Sequence, residues 1–202
     1  MQTGPDFREE HTLADGTRIV LRHIQPGDKE ELRRGFLALS PTSRYRRFFG
    51  VAELDERALA YLTEVDGVDH VAIVATTESL DLKSERGIGV ARFIRSKRDR
   101  AAAEAAVTVV DDMQMQGVGT LLTRALARAA HERGIERFRC EVLESNDAVV
   151  RALRDVGATT ADRGAGTLVL DVPIPRDGDG VIRRALRLGA EQWTAFLRRL
   201  AP

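Results

Sequence analysis

Apolar residues recur along this chain at two spacings, and each change of spacing marks an element boundary. Residues 17–23 read as a first strand. A helix then opens at Asp28, with Glu31 three residues on as a capping box requires, and Leu32, Phe36 and Leu39 form its buried stripe. Pro41 restarts the chain as a short helix, and Asp55 caps another whose Ala58, Leu59 and Leu62 point inward. Strand spacing takes over at 71–76 and 88–95, a hairpin pair whose polar connection, 78–87, reads as a mobile loop. By propensity alone 101–106 is a helix, whereas Val107, Thr108, Val109 and Val110 favour a strand. Leu121, Leu122, Ala125, Leu126 and Ala129 repeat at helical spacing until Gly134 supplies a stop. A strand over about 137–143 follows, then Glu144, Ser145 and Asn146 open a helix that ends at Val156 and Gly157. The final β pattern, 167–172, is separated by Gly178 and Gly180 from a helix over roughly 181–200, partly apolar and rich in arginine.

Composition narrows what such a chain can do. With 202 residues and 43% hydrophobic content it can bury one good core, and no apolar run is long enough to span a bilayer. Basic and acidic residues number 31 each, so nothing draws the whole surface to nucleic acid. Arg44, Arg46 and Arg47 are a local basic cluster, facing either an anion or solvent. Glu64, Asp66 and Asp69 likewise either attract a cationic acceptor or form an ordinary acidic loop. Cys140, the lone cysteine, lies in a strand pattern and reads as a small buried hydrophobe. His11, His23, His70 and His131 are scattered without ligand spacing, so no metal site is expected. Asp6, Arg8, Glu9 and Glu10 precede the first strand, no secretion segment is visible, and a cytoplasmic location is the default.

Chemistry concentrates where a strand meets a helix through Gln114-Met115-Gln116-Gly117-Val118-Gly119-Thr120. First-turn N–H groups of a helix lack partners inside it and carry the positive end of its dipole, and glycine lets a phosphate approach the backbone. The turn has neither the Gly-Lys-Ser/Thr ending of a P-loop nor the third glycine of a dinucleotide fingerprint. Its Gln-x-x-Gly-x-Gly pattern resembles the acyl-CoA pyrophosphate loop of the GNAT superfamily of N-acyltransferases. Upstream, Thr17-Arg18-Ile19-Val20-Leu21-Arg22, Pro26-Gly27-Asp28, Leu39-Ser40-Pro41-Thr42-Ser43-Arg44-Tyr45-Arg46-Arg47-Phe48-Phe49 and Ala103-Glu104-Ala105-Ala106-Val107 resemble the GNAT domain of bacterial Pat-type protein lysine acetyltransferases. The resemblance covers roughly residues 13–172. It leaves 181–200 as an appended helix that docks on its own domain, contacts a second copy in a homo-oligomer or binds a partner.

The resemblance implies an α/β (α+β) GNAT fold: a mixed, mostly antiparallel sheet flanked by helices, with a splayed strand pair forming the acyl-CoA cleft. It turns 104–110 into a strand against propensity, with Glu104, Ala106 and Thr108 on one face and Ala105, Val107 and Val109 on the other. It assigns Glu104 as the general base, where the residues alone also allow an exposed glutamate or an ion pair with Arg92 or Arg100. It assigns Val107, Thr108 and Val109 to the pantetheine amides, backbone N–H groups around Val109 and Val110 to the thioester oxygen, and Met115, Gln116, Gly117, Val118, Gly119 and Thr120 to the pyrophosphate. Gln114 stands where an arginine is common. Asn146 is either a pantetheine contact or an ordinary helix cap. Leu153 occupies the place of the usual tyrosine acid, which leaves only Tyr45 and Tyr61 in the chain.

The activity implied is acetyl transfer from acetyl-CoA, without metal, to a primary amine by direct attack in a ternary complex. Protein lysine, for example on an acyl-CoA synthetase, is favoured over small amines, and neither nucleic acid nor membrane is an expected partner. The alternatives are a small-molecule amine acetyltransferase, a non-catalytic acyl-CoA-sensing module, and an interaction protein working through 181–200. About 16 residues before the first strand leave no room for the extra regulatory domain that some Pat-type enzymes carry.

Overall fold

The computed structural model describes residues 3–40, 54–78, 85–145, 147–164 and 166–174. Strands β1 (Arg8–Thr12) and β2 (Arg18–His23) precede helices α1 (Lys29–Ala38) and α2 (Glu56–Thr63). The hairpin β3 (His70–Glu78) and β4 (Glu85–Arg95) leads to β5 (Ala102–Val109) and helix α3 (Val118–Glu132). Strand β6 (Arg137–Leu143), helix α4 (Asp147–Asp155), β7 (Thr159–Gly164) and β8 (Thr167–Pro173) complete the described chain. All eight strands form one sheet in the order β1-β2-β3-β4-β5-β6-β8-β7, antiparallel except where β5 meets β6. This is the mixed, mostly antiparallel sheet that the motifs imply. No helix among the described residues is long and apolar enough to cross a membrane.

Local chemistry explains most boundaries. Asp55 caps α2 as expected, its Oδ1 accepting the Ala58 N–H at 2.7 Å. Gly134 ends α3 in the left-handed region (φ 71°); its N–H bonds His131 O and that of Ile135 bonds Ala130 O, the 5→2 and 6→1 pair of a Schellman motif. The expected capping box at Asp28 does not form. Asp28 Oδ2 instead accepts the Gln25 N–H at 2.7 Å and pairs with Arg22, while Glu31 Oε2 accepts the Gly87 N–H at 3.1 Å. A carboxylate beside a guanidinium has a stronger partner than a helix amide.

Two strands escaped the pattern. Strand β1 carries Arg8, Glu9 and Glu10, which read as a polar lead-in; Glu9 is nonetheless buried because Arg128 of α3 grips both its oxygens at 2.6 and 2.7 Å. Strand β7 is exposed throughout, so it has no alternation to detect. By contrast 101–106 is strand, not helix: Ala102 and Ala103 are fully buried between β4 and β6, where only small side chains fit. The connection 79–84 and the expected helix at 181–200 lie outside the described residues.

The sheet's two faces are covered differently. Val107 and Val109 join Ala91, Phe93, Leu122 and Leu126 in a core under α3. The opposite face is roofed by α1 and α2, whose Phe36, Leu39, Leu59 and Leu62 pack together. Beyond the β5–β6 junction a separate core forms from Val142, Val150, Leu153, Leu168 and Leu170.

Candidate active site

Strand β5 holds seven register pairs with β4, from Ala103 to Val109, but only three with β6, and the last of these is Glu104 opposite Arg139. Past that rung β6 continues with β8 while β5 continues with β4 alone, so a gap opens between them. Glu104 is therefore the residue at which the sheet splits. It is half-buried and shares its face with Ala106 and Thr108, as the strand reading requires.

The backbone on the gap side follows from one bond. Val110 donates its N–H to Ile88 O at 3.0 Å, so the Ile88–Val110 rung is hydrogen-bonded and the same pairing recurs at Val90–Thr108 and Arg92–Ala106. Val107 and Val109 consequently turn their peptide edge toward the gap. The main chains of Thr108 and Val110 face β4 instead, and the Thr108 side chain lies on the Glu104 face at the cavity.

The glycine turn is preshaped. Met115 (φ 62°) and Gly117 (φ 95°) both take the left-handed conformation, which bends successive N–H groups toward one side of a concavity. Gly117 is the N-cap of α3, with no side-chain cap and no acidic residue in the first turn. A Cβ on Gly119 would meet Val109 Cγ2 at 3.6 Å, an ordinary contact, so crowding does not demand glycine there. Gln114 does not point into the cradle: its Nε2 donates to Val109 O at 3.2 Å and to Asp111 Oδ1 at 2.8 Å. Gln116 Nε2 likewise bonds Asp112 O, and the Thr120 N–H closes onto Gly117 O at 3.0 Å. That leaves the turn from Gln116 to Gly119 at the N-terminal end of α3, where first-turn N–H groups and the helix dipole favour an anion.

Beside Glu104 lies a buried polar cluster that sequence reading passed over. Arg92 is only 2% exposed, and its Nη1 meets His70 Nε2 at 3.1 Å. A guanidinium only donates, so that imidazole nitrogen accepts and the ring proton sits on Nδ1. Burial, then the Arg92 charge, push the His70 pKa down to about 4, which keeps the ring neutral. Burial lowers the Arg92 pKa to about 9, still above neutrality, so it remains a cation. The Tyr61 ring packs 5.1 Å from that of His70, and burial, with the charge of Glu104 contributing, raises its phenol pKa. The available signal was a lone arginine inside the apolar run 88–94.

Other candidates fall into structural roles. Asp66 Oδ1 accepts three N–H groups, from Val68, Asp69 and His70, each at 2.8 Å. Asp69 holds Arg95 and Arg100, and Glu64 pairs with Lys29 at 2.6 Å, so the acidic trio organises its own loop. Arg139 binds Asp171 through two hydrogen bonds, at 2.7 and 2.8 Å. Cys140 is pushed up to about 12 by burial and is an inert thiol at neutral pH. Leu153 is buried in the small core. Asn146, Tyr45 and Arg44, Arg46 and Arg47 lie outside the described residues.

On the Glu104 face, beneath α1, lies a cavity open to solvent. Ala106, Thr108 and Val110 of β5 form part of its floor, and Gly35, Phe36 and Leu62 part of its roof. Glu104 sits one rung from Ala106, at its edge.

A split sheet beside a glycine-capped helix is the architecture of an N-acyltransferase, and residues 18–159 match the acetyltransferase (GNAT) domain family. The chain belongs to that family. It is 35% identical over 160 residues to the acetyltransferase Pat of Mycolicibacterium smegmatis, a match covering 79% of this chain and 47% of that one. An acetyltransferase of Pseudomonas aeruginosa is 30% identical over 146 residues, 72% of this chain and 75% of that one. Among solved structures, the GNAT domain of S. lividans PAT superposes with a TM-score of 0.69 at 29% identity, covering 82% of this chain and 96% of that one. A cAMP-binding acyltransferase from Mycobacterium smegmatis gives a TM-score of 0.56 at 31% identity over 91% of this chain and 55% of that one. The chain thus spans about half the length of these mycobacterial relatives.

Proposed function

We propose that this chain transfers the acetyl group of acetyl-CoA to a primary amine, with a protein lysine as the favoured acceptor and Glu104 as the base. The observation that carries this reading is the break in the β5–β6 ladder immediately after Glu104, which sets a carboxylate, the peptide edge of Val107 and Val109 and the α3 N-terminus beside one gap. Likeness to Pat supports lysine over small amines.

A lysine amine with an ordinary pKa near 10.4 arrives protonated and must lose that proton before it can attack. Glu104 accepts it, directly or through one water. The amine nitrogen then bonds the carbonyl carbon, the carbon–sulfur bond breaks, and the nitrogen gives up its second proton to water as the amide forms, while the thiol leaves as thiolate and takes a proton from solvent. The Val109 N–H, turned to the gap, donates to the carbonyl oxygen as negative charge builds there. The N–H groups from Gln116 to Gly119 and the α3 dipole hold the pyrophosphate. Acetyl-CoA contributes the activated thioester; the chain contributes position, a base and a hydrogen-bond donor.

Thiol release from acetyl-CoA, measured against a panel of acyl-CoA synthetases and small amines with a no-acceptor control, tests the reading. Turnover with a protein acceptor that collapses in Glu104→Gln while acetyl-CoA still binds supports it. Tight binding with no turnover on any acceptor replaces it with an acyl-CoA-sensing module.

A further inference from the structure

We infer that Tyr61 is a positioning residue for the proton transfer: its hydroxyl donates to one oxygen of Glu104 and leaves the other to meet the acceptor amine. The inference rests on the transferase reading above, with Glu104 as base.

The sheet sets the distances. On the Glu104 face, His70 of β3, Ile94 of β4 and Glu104 of β5 are register partners in one row, and Ala72, Arg92 and Ala106 form the next. His70 and Glu104 thus stand two strand spacings apart, about 10 Å between backbones. Tyr61 of α2 comes down on this row, its ring 5.1 Å from that of His70. Arg92 has an alanine on either side, which leaves its guanidinium room to lie along the sheet, and its Nη1 meets His70 Nε2 at 3.1 Å. The cluster therefore extends from His70 toward Glu104, with the half-buried phenol above it.

Electrostatics agree with that placement. Burial raises the Tyr61 pKa first, Arg92 lowers it, and Glu104 and Asp66 raise it again, so the charges of Arg92 and Glu104 reach the same hydroxyl. The raised value keeps the phenol protonated, and hence a donor, at neutral pH.

Hydrogen-bond capacity sets the direction. A guanidinium only donates, so toward Arg92 the phenol can offer only its oxygen, and its one proton turns to the Glu104 carboxylate. His70, kept neutral by burial, accepts from Arg92 and holds the guanidinium in the cluster. The other row partner of Glu104, Arg139, is bound by Asp171 through two hydrogen bonds. A carboxylate with one oxygen fixed presents the second in a constant direction to an ammonium arriving at the edge of the cavity. The proton passes from the amine nitrogen to that second oxygen, and the phenol keeps its own throughout.

The test is a double-mutant cycle on the full chain, with acetyl-CoA and an amine that the wild type acetylates. Tyr61→Phe, which keeps the ring against His70, should lower kcat about 10- to 100-fold while the acetyl-CoA Kd and the amine KM stay within about twofold. In the Glu104→Gln background the same change should alter kcat by less than about twofold, because a residue acting through the Glu104 carboxylate has nothing left to position. Equal losses in both backgrounds overturn the inference by making the effect structural. A raised amine KM with unchanged kcat overturns it by giving the hydroxyl to the acceptor. A second measurement needs neither turnover nor a change at Tyr61. In Tyr45→Phe, which leaves Tyr61 as the one phenol of the chain, adding Glu104→Gln should move the phenolate absorbance titration to lower pH, because one neighbouring negative charge is removed while Arg92, His70 and Asp66 remain. No shift separates the two residues and overturns the inference with the transferase reading intact. A wild type that binds acetyl-CoA yet acetylates no amine defeats the transferase reading, and the role of Tyr61 in proton transfer with it.

Discussion

The two halves of the sheet are built to different standards. Strands β3 to β5 lie at the centre of the larger half, with α3 on one side and α1 and α2 on the other, and its core runs from Phe7 to Ile174. Strands β6, β8 and β7 rest on α4 and a small core around Val142, Leu153 and Leu170. Three rungs, Ala102–Arg137 to Glu104–Arg139, join them. The larger half supplies Glu104, the peptide edge of Val107 and Val109, the glycine turn and the cavity; the smaller supplies the far wall. A cleft in a sheet can thus be made by withholding backbone pairing after one residue, with no inserted loop.

Glu104→Gln should break the chemical side of this comparison most strongly, lowering kcat between about 100- and 10,000-fold while acetyl-CoA affinity stays within about twofold. Steady-state kinetics with calorimetry would measure both, and a change smaller than tenfold would remove Glu104 from the proton transfer. Next comes acid sensitivity of the larger half. Folded His70 binds its proton only near pH 4, whereas an unfolded histidine does so near 6.5, so the unfolded chain holds the extra proton between those values. Stability is complete above about pH 6.5 and falls by about 3 kcal/mol as pH drops to 4. Urea midpoints across that range, with an NMR titration of the His70 ring, would check it. Gly89→Ala follows: its Cβ would lie 2.7 Å from Thr108 O and 2.9 Å from Leu122 Cδ1, so forcing β4 away from β5 and α3 should cost about 2 kcal/mol by thermal unfolding. Smallest is Arg139→Ala in the lesser half, where a partly exposed pair with Asp171 is expected to contribute about 1 kcal/mol or less. Unfolding by tryptophan-independent circular dichroism would show whether that loss spreads to the larger half.

Sequence patterning located elements wherever periodicity and end signals agreed. Strand β6 spans the expected residues, Asp55 caps α2, and Gly134 stops α3. It failed where a long-range partner overrode local character. Glu9 is buried because Arg128 lies 119 positions away in sequence, and Asp28 abandons its helix for Arg22. The alanine-rich run 101–106 looks helical until two neighbouring strands demand small side chains, which is why a family motif had to identify β5. At the site, the glycine turn and Glu104 were legible as motifs. Gln114 closing on Val109 and Val110 donating to Ile88 were not, since both depend on which way a peptide plane turns. The Arg92–His70–Tyr61 cluster draws on β4, β3 and α2, and no spacing along the chain links those three.

Sheet order follows chain order from β1 to β6, so most pairings close between near neighbours along the chain. The β5–β6 rungs are different: they are parallel and join strands separated by the whole of α3. Contacts of that kind carry the larger loop-closure entropy and form slowly relative to hairpins. In kinetic terms, the short parallel junction that bounds the cleft belongs, with the β2–β3 pairing, to the contacts that chain connectivity places later than the hairpins, and the same rungs that join the sheet also bound the cleft.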